Sequence, residues 1–360
     1  MDKNALTPHY TWGIYDSSKL QEYELCPRMF FWEYILGWRI AGANQHLIFG
    51  EAWHRAMEHI LLNGYNVDAV LQGAKIGEEY YRRFIPASRD ADYIPKTPGN
   101  LAIALAQYIR NYAYDTFQVL HTEISGAVEV GDDRLLYFRM DSIMQDPIYQ
   151  GLITSLEHKT GSRKGCFEPY TVSIQNGTYT YALRCTYDPK DIYGMVVNGT
   201  IFYKSQDAVF QRLPSPMNEI DMKEWFWTVN HIIDRLEWDM AELNESSDME
   251  DIMPCFSKRT GSCHKWGQCK YYDFCHNWAN PLQHLEYIPD GYMIEWWDPS
   301  KREAKVHFKD GKMVAVEPTE EPPEVPDNVR IEDNIEVEAT KAPNAMADVD
   351  MLNRLMNKTK

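Results

Sequence analysis

The period of the apolar residues changes near residue 124, and that change constrains the fold more than any other feature of the chain. The stretches 124–130, 134–144 and 151–159 alternate or are rich in β-branched residues, with GDD at 131–133 as a turn. They read as a hairpin followed by a third strand. Residues 170–187 then read as a helix and 194–204 (GMVVNGTIFYK) as another strand. Helical spacing precedes this block. A first helix opens at DSSKLQEYELCPRMFFWEYILGW, where Ser18 with Gln21 reads as a capping box and Pro27 as a break or kink. Further helices are expected at about 50–63, 66–84, 100–120 and 218–243.

These patterns divide the 360 residues into a helical region 1–122, a core 123–215 and a helical, cysteine-rich segment 216–280. A small β appendage at 281–309 and an acidic, Pro-rich tail at 310–360 follow. The tail is expected to be disordered, with Met346, Val349, Leu352 and Met356 at helical spacing near its end; it is a candidate surface for a protein partner. No apolar run approaches the roughly 18–20 residues needed to span a membrane, and the first residues lack an apolar signal core, so a cytoplasmic protein is expected. The net charge is −17, and residues 1–309 alone keep −11. Tight coating of nucleic acid is thereby excluded, because such binding neutralises many phosphates. A local groove centred on a bound cation remains allowed. Aromatic residues are abundant at 13% and read mostly as core.

Four separated features carry chemistry. His54 and Glu58 in FGEAWHRAME share a helix face, although a salt bridge accounts for Glu58 equally well. Asp141 closes the apolar strand LLYFRMD, an expensive place for a carboxylate unless it is paired, solvated or bound to a cation. In SLEHKTG, strand geometry sends Glu157 and Lys159 to one face and His158 to the other. A carboxylate beside an ammonium suits phosphodiester chemistry, the first holding a hard cation and the second orienting water and stabilising charge on the phosphate. Gln175 and Tyr179 in VSIQNGTYTYAL again lie four apart on a helix. Each feature alone is weak; the order and the 16-residue spacings on both sides of the E-x-K triplet make the set stronger.

Cys263, Cys269 and Cys275 follow a C-x₅-C-x₅-C spacing, with Cys255 eight residues upstream. Thiolates so spaced gather on zinc or on an iron–sulfur cluster, and His264 and His276 keep zinc in contention. The missing fourth ligand is Cys26 or Cys255; Cys166 and Cys185 read as ordinary thiols. Lys19, Arg28, Arg39, Arg163 and Lys164 are candidate phosphate contacts.

The stretches SSKLQEYELCPRMFFWEYILGW, FGEAWHRAME, the Asp141 strand, EHKTG, QNGTY and the cysteine segment together resemble RecB-like PD-(D/E)xK nucleases, including CRISPR-associated iron–sulfur exonucleases and viral relatives. The resemblance spans most of residues 17–280. It implies an α/β, restriction-endonuclease-like mixed sheet flanked by helices, with an iron–sulfur-stapled helical segment. It implies that His54, Asp141 and Glu157, with the His158 carbonyl, hold Mg²⁺ or Mn²⁺, that Lys159 assists the attacking water, and that Gln175 and Tyr179 stand beside the substrate. It also implies a 4Fe-4S cluster on Cys26, Cys263, Cys269 and Cys275, with zinc the weaker occupant. The expected activity is a DNA nuclease, an exonuclease on single strands or DNA ends, in recombination, repair or viral genome processing. Two other classes compete: a non-catalytic, metal-stapled DNA- or protein-binding module, and an oxidoreductase. The first has no need of the full residue set, and the second lacks a Gly-rich nucleotide loop.

Overall fold

The computed structural model describes residues 6–131, 134–205, 207–265, 267–301, 306–309 and 312–315. The strands are β1 (Tyr15–Asp16), β2 (Trp38–Ile40), β3 (Gln118–Glu129), β4 (Leu135–Asp146), β5 (Leu152–Gly161), β6 (Ile192–Ile201), β7 (Val209–Pro216) and β8 (Tyr292–Ile294). A hairpin, Val306–Lys309 with Lys312–Ala315, follows. The helices are α1 (Ser17–Leu25), α2 (Pro27–Phe30), α3 (Gln45–Asn63), α4 (Val67–Arg82), α5 (Asp90–Tyr93), α6 (Pro98–Asn111), α7 (Glu168–Thr171), α8 (Ile174–Thr186), α9 (Glu219–Glu245) and α10 (Tyr272–Cys275).

The main sheet runs β1-β4-β5-β6-β7, with β3 also on β4; β5–β6 and β1–β4 are parallel and the other pairs antiparallel, so the sheet is mixed. Side chains alternate across it. On β6, Met195, Val197 and Ile201 join the core under α1, α8 and α9, while Asn198 and Thr200 turn to the opposite face. A second core, built by α3, α4 and α6 around Phe49, Trp53 and Leu105, closes with Phe202 just beyond β6. The sheet therefore lies between two helical layers, as the family resemblance implies.

Several boundaries differ from expectation. The cap of α1 is Asp16, which accepts from Lys19 N at 2.8 Å, so Ser18 and Gln21 sit inside the helix and form no capping box. Pro27 does restart the helix, at the first turn where its missing N–H costs nothing. The expected helix at 100–120 ends at Asn111, and β3 begins at Gln118. The β appendage is not independent: β8 pairs with β2, joining residues from the two ends of the described chain. Part of the acidic tail, Lys312–Ala315, is a strand; the rest of the expected disorder and the terminal helix lie outside the described residues. Among the described residues no helix is long and apolar enough to cross a membrane.

Candidate active site

The site sits where one edge of β4 is left open. β3 takes one whole edge of β4. The other edge is shared by β5, which pairs from Asp146 down to Ser142, and by β1, which pairs with Leu136 and Tyr137. Residues 138–141 lie between them without a strand partner on that side, and buried backbone polar groups need partners. The Tyr179 hydroxyl donates to the Arg139 carbonyl, and the His158 N–H donates to Asp141 Oδ2 at 2.6 Å. Since the last β4–β5 pair is Ser142 with Leu156, the first residues past the fork are Asp141 and Glu157. Register alone delivers two carboxylates to one place.

The helices supply the rest. His54, on α3, places Nδ1 3.0 Å from Asp141 Oδ1. Lys159 Nζ donates to Glu157 Oε1 at 2.6 Å, which requires both side chains on one face of β5 as strand alternation predicts. Gln175 Nε2, in the first turn of α8, donates to the same Glu157 oxygen at 3.0 Å and lies 2.7 Å from the Tyr179 hydroxyl. Gly177 sets the depth of α8, because any Cβ there would overlap the Trp225 indole of α9. Glu58, one turn beyond His54, instead accepts from Thr122 Oγ1 of β3 at 3.0 Å.

Electrostatics follow from burial and pairing. Burial alone would raise the Asp141 carboxyl, but the His54 imidazole outweighs it and holds Asp141 below the usual carboxylate range. Burial would lower His54, and Asp141 outweighs it, lifting His54 to about 9. Glu157 goes the other way: burial, then repulsion from Asp141, push it up to about 7 despite Lys159. Its second oxygen, Oε2, is buried and has no hydrogen-bond partner among the described residues. A buried carboxylate oxygen without a donor is expensive unless a cation fills the place. The donor set, carboxylate oxygens with one imidazole, suits a hard or borderline divalent ion.

One residue of the site was not foreseen. Glu123 Oε2 accepts from Arg139 Nε at 2.7 Å, and ligand atoms of His54, Glu123 and Asp141 all lie within 4.8 Å of one another. Glu123 has φ +50°, in the left-handed region. The signal was in the hairpin register: Thr122 pairs with Ser142 and Ile124 with Met140, so Glu123 falls across from Asp141.

On the opposite face of β5, His158 is 1% exposed; burial, above all, pushes its imidazole down to about 3, so it is neutral. Its Nδ1 meets the Asn198 amide at 2.9 Å, and Asn198 also donates to the Tyr108 hydroxyl. That network anchors the peptide on which Glu157 and Lys159 stand.

A second constellation lies at the far end of α1. Cys26, Cys263, Cys269 and Cys275 line one cavity of about 70 Å³, together with Met29, Trp32 and His276. Cys255 does not line it; its sulfur lies 3.8 Å from Ser246 Oγ. Of the expected phosphate contacts, Lys19 and Arg28 are buried and committed internally. The Lys19 ammonium donates to the carbonyls of Thr11 and Ile14, and Arg28 Nε to that of Phe256. Arg39 pairs with Glu33 at 2.9 Å, while Arg163 and Lys164 are exposed in the loop after β5.

A mixed sheet opened at one strand edge thus brings an aspartate, an E-x-K triplet and a helix-borne glutamine and tyrosine to one place. The family model for the PD-(D/E)XK nuclease superfamily matches residues 17–276, and the chain belongs to that superfamily. No curated protein matches the sequence. Among solved structures, the chain is similar to a candidate exonuclease from Eubacterium rectale, with 11% identity and a TM-score of 0.40, covering 67% of this chain and 85% of that one. A second, SSO0001, has 10% identity and a TM-score of 0.24 over 52% of this chain and 84% of that one.

Proposed function

We propose that the chain is a divalent-cation-dependent DNA nuclease, acting as an exonuclease on DNA ends or single strands in recombination, repair or viral genome processing. The observation that carries this reading is the buried Glu157 carboxylate. One of its oxygens is held by Lys159 and Gln175, and the other has no donor among the described residues, beside Asp141 and His54. His54, Asp141 and Glu157, with the His158 carbonyl, would hold Mg²⁺ or Mn²⁺. The cation, when bound, supplies charge for the scissile phosphate and acidity for the attacking water. Lys159 holds that water in line and stabilises the charge that grows on the phosphate oxygens. Gln175 and Tyr179 keep the Glu157 carboxylate and the Arg139 carbonyl in place under the substrate. The neutral His158 ring leaves its own backbone carbonyl oriented by the buried Asn198 contact. With a net charge of −17, DNA engagement is confined to a local groove, to which Arg163 and Lys164 are adjacent in sequence.

The test is digestion of end-labelled single- and double-stranded DNA by wild type and Lys159→Ala, with Mg²⁺ or Mn²⁺ and with a chelator control. Loss of cleavage by about 10²–10⁴-fold in the variant is expected, in the range for removal of a positioned acid–base group. Metal-independent cleavage, or equal rates, would sink the reading.

The four cysteines form the second half of the proposal: a 4Fe-4S cluster on Cys26, Cys263, Cys269 and Cys275. Their shared cavity, from which Cys255 stands apart, supports the choice of Cys26. The role is structural, tying α1 to the cysteine segment. Protein purified without oxygen should be brown, with visible absorption bleached by reductant and with about four irons per chain. Stoichiometric zinc and no colour would replace the cluster with a zinc site.

A further inference from the structure

Three carboxylates of the site each pair with a basic side chain. Asp141 has His54 at 3.0 Å, Glu157 has Lys159 at 2.6 Å, and Glu123 has Arg139 at 2.7 Å. The first two carboxylates belong to the ligand set of the reading above. The third repeats the arrangement from the strand directly across from Asp141. Glu123 is 7% exposed, as buried as Asp141 at 8%. Opposite ligands on one divalent ion stand about 4–5 Å apart. The ligand atoms of His54, Glu123 and Asp141 already fall within 4.8 Å of one another. Independently, the neighbouring Glu157 Oε2 is buried and has no hydrogen-bond partner among the described residues, so a second carboxylate oxygen is open to a cation.

We infer that Glu123 is a further cation ligand of this site, and that Arg139 is the counter-ion it gives up when the cation binds. Arg139 is suited to the exchange. Among the described residues its guanidinium is held at close range by Glu123, with Glu51 at 4.0 Å. Its backbone carbonyl is held separately by Tyr179, so the side chain swings without disturbing the fork. Once released, it stands at the rim of the site, where a planar guanidinium matches a phosphate.

This inference rests on the nuclease reading, and the experiment separates the two. Mn²⁺ binding to the full-length chain, purified without oxygen with its cysteine site loaded, is measured by titration calorimetry for wild type, Glu123→Gln and Arg139→Gln. Circular dichroism checks that each is folded. Glu123→Gln should bind Mn²⁺ about tenfold or more weakly, the loss typical of removing a group that shapes a metal site. Arg139→Gln should bind it more tightly than wild type, because the competitor is gone; a structural salt bridge would produce the opposite sign. Unchanged Mn²⁺ affinity in folded Glu123→Gln overturns the inference. If Glu123→Gln does not fold, Arg139→Gln decides alone, and affinity equal to or below wild type overturns it. A wild type that binds no Mn²⁺ defeats the nuclease reading itself; a wild type that binds Mn²⁺ and cleaves DNA beside an unaffected Glu123→Gln defeats only the role of Glu123.

Discussion

The Tyr179 hydroxyl gives the Arg139 carbonyl the partner that a neighbouring strand would otherwise provide. Removing it in Tyr179→Phe leaves a buried acceptor unmet, a loss of about 1–3 kcal/mol. Urea unfolding should report that loss, with nuclease activity falling because the fork beside Glu157 loosens; unchanged stability would mean that the hydroxyl does not hold the gap. At this scale His54, Asp141, Glu157, Lys159, Gln175 and Tyr179 could all be read from spacing, and the structure brings them together. Glu123 could not be found by motif, since a lone glutamate in a strand carries no pattern; only the hairpin register points to it. Lys19 and Arg28 were misread for a related reason. A basic residue on a helix looks solvated until the segment that buries it is known, here the turn at Thr11–Ile14 and the bend at Phe256.

Among elements, α8 shows how packing overrides local preference. Alanine is a better helix former than glycine by about 1 kcal/mol. At 177, however, a methyl would push into Trp225, whose indole N–H is tied to the Ile174 carbonyl at 3.2 Å and whose ring lies 5.2 Å from that of Tyr181. Overpacking costs about 1–3 kcal/mol, so Gly177→Ala should lower the melting temperature. A higher melting temperature would show that the indole yields easily. The strands β3 to β6 and the helices α4, α8 and α9 were foreseen to within a few residues at most ends, because their apolar periods are long. β7 was not, because VFQRLPSP carries two prolines and reads as a loop; prolines are tolerated there since β7 is the sheet's edge. The start of α3 was missed because its cap, Asn44, follows AGA, which has no apolar period.

Across the whole molecule, the segment from Tyr10 to Ile40 is laced to residues 239–298. Tyr23 donates to Asp239 at 2.6 Å, Trp297 to Asp16 at 2.7 Å and Tyr10 to Asp298 at 2.8 Å, while β2 pairs with β8. Glu33 lies at the centre of the seam, accepting from Arg39, Lys270 and Tyr271. Burial, then the Glu33 carboxylate, push the Glu22 carboxyl up to about 8 from an ordinary 4.5, so it binds a proton more readily in the folded protein. Its stabilising contribution is complete below pH 4.5 and is lost as the pH rises toward 8; the melting temperature should fall across that window, and Glu22→Gln should flatten the fall. A slope unchanged in Glu22→Gln would assign it to other groups. The same seam has a consequence during biosynthesis. Residues 118–216, which hold the five long strands of the main sheet, leave the ribosome as one continuous stretch. Cys26 and the aromatic residues around it must wait until more than 200 further residues have been made before Cys263, Cys269 and Cys275 exist to meet them. For that interval the first helix is a sticky, thiol-bearing end, so a nascent chain stalled before residue 263 is the form of this protein most exposed to oxidation and aggregation.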